Sequence, residues 1–220
     1  MIDAVRSGLA ALADPSKAPA MQAYMKSALP FYGVPKPARA RLAREVLGGL
    51  ESFEAWRDTV RAMWHGASYR EERYMALALL QDRRYARFRT LDALPLYEEL
   101  IVTGAWWDFV DEVAAGPLGA LLPDVAPALR AWAVDADMWK RRAAIIAQVR
   151  RKRETDFALL VDCIEPNRGD REFFIRKAIG WALRAYAWVS PDEVVAYCAT
   201  HELSPLSRRE ALKNVSKARA

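Results

Sequence analysis

Cysteine and histidine are almost missing from this chain, with two of each in 220 residues. Cys163 and Cys198 lie far apart and form no CxxC, so a paired-cysteine zinc or redox motif is excluded and both read as small buried apolar residues. His65 and His201 are isolated and no HExxH occurs, which leaves little from which to build a metal site. Neither a metal nor a cofactor is expected. Long hydrophobic runs are missing too: no window reaches the roughly 18–20 uncharged apolar residues of a membrane span. The start, Met1-Ile2-Asp3-Ala4-Val5-Arg6-Ser7, lacks the basic opening and apolar run of a signal peptide. A soluble, cytoplasmic protein is the expectation. Asn-Gly and Asp-Gly, the strong hairpin signals, are absent as well.

What is present is apolar mass and positive charge. Apolar residues make up 53%, enough to bury a large core, and 33 Lys plus Arg against 28 acids give a net charge of +5. Basic clusters recur at Arg39-Arg41-Arg44, at Lys140-Arg141-Arg142, at Arg150-Arg151-Lys152-Arg153, and from Arg208-Arg209 through Lys213 and Lys217 to Arg219. Any one of them suits a solvated helix face; their recurrence along the chain favours a polyanionic partner.

The periodicity is helical nearly throughout. Apolar residues recur at steps of three and four in Tyr74-Leu77-Leu80, in Leu94-Tyr97-Ile101 and in Phe174-Ala178-Trp181-Ala185-Trp188. Prolines 30, 37, 95, 117, 123, 127, 166, 191 and 205 punctuate these runs, and Asp137 and Asp170 each precede one as N-cap candidates. About a dozen helices of roughly 10–18 residues result. Paired, they make units of roughly 35–45 residues, the size range of HEAT or armadillo repeats. The expected architecture is all-α, a single domain over residues 1–220: a superhelical array of HEAT-like helix pairs with a concave basic face suited to a duplex. An irregular helical bundle is the alternative.

One segment stands out, Trp106-Trp107-Asp108-Phe109-Val110-Asp111. With Gly104 ending one helix and the next starting near Ala105, Trp107 and Asp111 stand one turn apart on a shared face, while Phe109, Val110 and Val113 serve the core. This spacing also suits a tryptophan lid with Asp111 capping or pairing an arginine. Arg142, in Asp137-Met138-Trp139-Lys140-Arg141-Arg142-Ala143-Ala144, lies where a helix passes from exposed to buried. Trp181 has Lys177 one turn before it and Arg184 almost one turn after. An aromatic framed by cations suits a nucleic-acid contact, and equally a core tryptophan edged by solvated charges.

These segments, with Ala23-Tyr24-Met25-Lys26, the run from Glu172 to Ala187 and the closing Leu203-Ser204-Pro205-Leu206-Ser207-Arg208-Arg209-Glu210-Ala211, resemble the AlkD-type DNA alkylation repair enzymes, the HEAT-like-repeat DNA glycosylases, over nearly the full length. The resemblance implies a catalytic aspartate at Asp111, lesion-facing tryptophans at Trp107 and Trp181, and an arginine near the scissile nucleotide's backbone at Arg142, or at Arg141 if the register is shifted by one. It implies a DNA-approaching tyrosine at Tyr24. Lys152, Lys177, Arg184 and Arg208 are the further candidate DNA contacts. The partner it implies is double-stranded DNA containing alkylated purines, bound by a monomer.

The residue types suit that reaction. A purine alkylated at N3 or N7 is cationic and leaves as a neutral base, so no general acid is needed. The sugar becomes oxocarbenium-like, and a fixed carboxylate with indole faces stabilises such a cation. The resemblance further implies action from the sugar-phosphate side, without a base-flipping pocket. The competing reading is a non-catalytic helical-repeat module that binds structured DNA or an acidic protein.

Overall fold

The computed structural model describes residues 1–218; Arg219, counted above among the basic residues, lies outside them. Among the described residues there are fourteen α-helices and no strand, and no helix is long and apolar enough to cross a membrane. The fold is all-α, of the helical-repeat class. The helices are shorter than the periodicity suggests: the longest has 14 residues, and one of seven carries Trp107 and Asp111. Proline accounts for part of this. Pro37, Pro127, Pro191 and Pro205 stand at the first or second position of their helices, where no amide donor is missed. They mark starts rather than stops. Pro117 instead sits in a π-turn with Gly116, directly after the seven-residue helix.

Contacts gather into two compact units, residues 1–96 and from Tyr97 onward. The first contains α1 (Ile2–Ala11), α2 (Ala18–Met25), α3 (Lys36–Val46), α4 (Phe53–His65) and α5 (Arg70–Gln81). Ser52 caps α4 by accepting from the amide of Ala55 at 3.1 Å. Its apolar face seats Trp56, Val60 and Trp64 against Met75, Leu79 and Leu80 of α5, all with 2% exposure or less. Glu71 is fully buried and accepts from three successive amides, those of Tyr32, Gly33 and Val34. It thereby fixes the α2–α3 connection to α5. Arg39, expected on a basic surface, donates to the carbonyl of Val34 and lies over the Tyr74 ring.

The next helix, α6 (Leu94–Gly104), starts at the boundary. The second unit continues with α7 (Trp107–Val113), α8 (Ala126–Ala133), α9 (Met138–Ile146), α10 (Phe157–Ile164), α11 (Phe173–Tyr186), α12 (Pro191–Thr200), α13 (Pro205–Leu212) and α14 (Val215–Ala218). Its hub is α9, which packs on α7, α8, α10 and α11. Ala143, Ile145 and Ile146 are fully buried there. Asp137 caps α9, accepting from the amides of Trp139 at 2.7 Å and Lys140 at 3.2 Å. Asp170, the other expected N-cap, does not cap a helix. The N-cap of α11 is Glu172, and Asp170 lies two residues earlier, where it accepts from the Glu172 amide and from Arg141. The Asx turn competes with the cap because the chain bends before the helix begins.

The most extensive helix contact is between α11 and α13. Gly180 permits it: a Cβ there would lie 2.5 Å from Glu210 Cβ and 2.9 Å from the Ser207 carbonyl oxygen. Ser207 hydroxyl donates across to the carbonyl of Arg176. Gly180→Val is therefore expected to destabilise by about 1–3 kcal/mol through overpacking, measured as a lowered midpoint in denaturant unfolding.

Candidate functional site

The site is built from the ends inward. Gly104 closes α6 as expected, but the left-handed position falls one residue later, on Ala105 at φ +42°. A Cβ-bearing residue in that region costs on the order of 1–2 kcal/mol, so the bend that launches α7 is strained. Trp106 follows as an extended N-cap, and α7 presents Trp107 and Asp111 one turn apart. Phe109, Val110 and Val113 are buried, as their spacing suggested.

Asp111 is held by Arg142. The guanidinium donates from Nε to Oδ1 and from Nη2 to Oδ2, each at 2.8 Å, and from Nη1 to the carbonyl of Phe174 at 2.6 Å. One side chain of α9 thus joins α7 to α11. The pair is unequally accessible, with the Arg142 side chain 6% exposed and that of Asp111 15%. Both carboxylate oxygens accept, as an ionised group does, and each keeps a second lone pair. Burial pushes the Asp111 carboxyl above its ordinary range; Arg142 pulls it down, and Asp108 and Glu112 add to the rise.

An aromatic cluster adjoins this pair through Phe174. Trp106, Trp139 and Phe174 have ring centroids 5.1–6.3 Å apart, and Arg142 lies over the Phe174 ring. Trp106 therefore packs, with its indole Nε1 buried and without a hydrogen-bond partner. Trp107 and Trp181 are half-buried, and neither pairs with another ring among the described residues. Phe174, whose carbonyl and ring both meet Arg142, was not anticipated, because neither a backbone carbonyl nor a ring contact has a sequence signal.

The basic run at α9 is not a cationic surface. Lys140 pairs with Glu98 and Asp135, and Arg141 with Asp170 and the carbonyls of Asp135 and Ala136. Arg142 faces Asp111 rather than solvent. Lys177 and Arg184 both pair with Glu210, whose carboxyl burial would raise but which these cations hold below its ordinary range. Arg208 donates to the carbonyl of His201. Lys152 is exposed and, with Trp181 and Arg184, lines a groove. Tyr24, in the first unit, is 74% exposed. Among the described residues no three His, Cys, Asp or Glu side chains gather as a metal site would require.

A helical-repeat protein whose second unit holds a buried ion pair, with a half-buried indole one turn away on the same helix, is the class that fold and site define. A family profile of DNA alkylation repair enzymes matches residues 5–215, and the chain belongs to that family. The solved structure of a predicted DNA alkylation repair enzyme from Enterococcus faecalis superposes with a TM-score of 0.81 at 28% identity, covering 93% of this chain and 97% of that one. Among curated proteins none matches the sequence significantly.

The geometry yields a stability prediction. Arg142→Ala leaves a buried carboxylate without its partner and should cost about 3–5 kcal/mol. Replacing both residues together, as Asp111→Asn with Arg142→Met, should cost less than Arg142→Ala alone. Thermal unfolding of the three variants measures it, and an Arg142→Ala midpoint equal to that of the parent would rule the pairing out.

Proposed function

We propose that this repair protein is a monofunctional DNA glycosylase that hydrolyses the N-glycosidic bond of cationic N3- and N7-alkylpurines in duplex DNA. The observation that carries the reading is Asp111, fixed bidentately yet partly accessible, one turn from the half-buried Trp107. In the reaction the C1′–N bond breaks and its electron pair neutralises the departing cationic base. A water oxygen bonds to C1′, and its proton passes to Asp111 or to solvent. Asp111 stabilises the positive charge that develops on the sugar, and the indoles of Trp107 and Trp181 add attraction from their π-faces. Because Arg142 occupies one lone pair of each oxygen, its role is to aim the carboxylate; a phosphate contact from Arg142 itself would require that pair to open. Contact comes from the sugar-phosphate side, so bulky alkyl groups are tolerated. Tyr24, Lys152, Lys177, Arg184 and Arg208 complete the contacts to duplex DNA, which a monomer binds.

The test is incubation with a duplex carrying one 7-methylguanine, followed by alkaline cleavage at any abasic site. Asp111→Asn should retain duplex binding and lose excision by on the order of a hundredfold or more. Excision at the parent's rate by that variant would sink the mechanism. Since both Asp111 oxygens are paired, a purely structural aspartate in a non-catalytic DNA binder is the second reading; it predicts no excision from the parent protein. The pH profile supplies an independent check. The reaction needs ionised Asp111, and burial raises its carboxyl. Enzyme-dependent excision should therefore fall on acidification with a midpoint above that of an ordinary aspartate, after subtraction of spontaneous depurination.

A further inference from the structure

The C-terminal end of α11 borders a groove of about 650 Å3. Trp181 lines it, and so does Trp188, which lies just beyond the helix end at Tyr186. Helical spacing places Trp188 on the apolar stripe of α11, yet it is 56% exposed. The helix stops before that turn, so the stripe runs out over the groove instead of into the core. Trp188 makes no ring contact among the described residues, and nothing in the Asp111 chemistry uses it.

The facing wall is the loop after α9, which contributes Arg151, Lys152 and Arg153. Among the described residues Lys152 and Arg153 form no ion pair. This loop is stapled at its base. Gln148, 4% exposed, accepts from the amide of Asp156 at 2.8 Å and donates back to its carbonyl at 2.9 Å. Arg151 donates to the carbonyl of Gly119 at 3.1 Å. Gly119 itself passes so close to α9 that a Cβ would sit 2.1 Å from the Ala147 carbonyl oxygen. Arg150 reaches Glu112, the neighbour of Asp111, at 3.3 Å. At the tip Lys152 has φ +54°, a conformation that disfavours any residue with a Cβ. A strained lysine held by a rigid base is preorganised for a ligand. The wall carries one acid, Glu154, which faces Arg151 and is largely solvent-exposed.

We propose that this groove seats the DNA strand flanking the lesion, with Trp188 packed on one nucleotide and Lys152 and Arg153 on the neighbouring phosphates. The inference rests on the DNA-repair reading above and extends it by a contact residue, Trp188, and a register. Trp181 and Trp188 are seven residues apart, roughly 10 Å along a helix axis at 1.5 Å per residue. That is about three rises of 3.4 Å along the axis of a DNA duplex. If Trp181 faces the lesion nucleotide and α11 runs along the duplex axis, Trp188 meets the strand about three nucleotides away. Packing of an indole face on deoxyribose, together with phosphate contact, fits the mixture of an exposed indole with unpaired cations, whereas an apolar ligand has no use for the cations.

The full-length protein is titrated, with fluorescence anisotropy as readout, against a duplex bearing one stable abasic-site analogue, at several salt concentrations. Trp188→Ala should weaken binding by about tenfold, the order of the partial burial of one indole face, and leave the salt slope unchanged. Trp188→Phe should recover most of that loss. Lys152→Ala and Arg153→Ala should each reduce the salt slope by about 0.9, one phosphate apiece. Shortening the duplex to fewer than about three nucleotides on one flank, and not on the other, should abolish the effect of Trp188→Ala. Parent-like binding by Trp188→Ala on the long duplex overturns this inference alone, as does a Trp188→Ala defect that survives trimming of both flanks. A parent protein that binds no duplex overturns it together with the DNA reading. Because Trp188 is exposed, its variants should unfold at the parent's temperature.

Discussion

The bidentate contact between Arg142 and Asp111 is the constraint on which the second unit's architecture turns. Three guanidinium donors satisfy two carboxylate oxygens on α7 and one carbonyl on α11. Desolvating either charge alone costs several kcal/mol, so the geometry is fixed by the penalty for breaking it rather than by the net gain from making it. The contact ties α9 to α7 and α11, and the small and branched residues of α9, buried, complete its packing on α8 and α10. The same contact leaves the carboxylate partly accessible, with its remaining lone pairs available.

Positive charge is distributed less simply than its excess suggests. Most basic residues of the second unit already face acids or carbonyls: Lys140, Arg141, Lys177 and Arg184 each have a partner at hydrogen-bond or ion-pair distance. Such cations organise helices and keep only part of their field for a polyanion. Lys152 and Arg153 differ: among the described residues neither forms an ion pair, and the one acid of the groove wall, Glu154, faces Arg151. The net +5 of the chain is a statement about association with anions; the arrangement of pairs decides where that association is strongest.

The eight tryptophans sort by a related logic. Trp56, Trp64, Trp132 and Trp139 are buried core residues. Trp106 packs against Trp139 and Phe174, Trp107 and Trp181 remain half-buried on the carboxylate's helix and in the groove, and Trp188 is exposed at the groove. Indole surface kept partly out of the core weakens the fold by the apolar burial it forgoes. Its retention at the site and in the groove fits a surface that gains its burial from a ligand.

Helical class, the shared face of Trp107 and Asp111 and the cap at Asp137 follow from the sequence by itself, since each depends on spacing within a single helix and the helical period is local. The resemblance carried by the segments around Asp111, Arg142 and Trp181 indicated the family before any packing was known. Tertiary structure alone decided that Arg142 turns inward to Asp111, that Lys140 and Arg141 are neutralised, that Asp170 holds Arg141 instead of capping α11, and that Trp188 emerges into solvent. Those outcomes depend on which helix lies opposite and where each one stops. Neither is encoded in the period of one segment, because a charge or an indole takes its environment from residues 30 or so positions away, as Arg142 takes its partner 31 residues upstream.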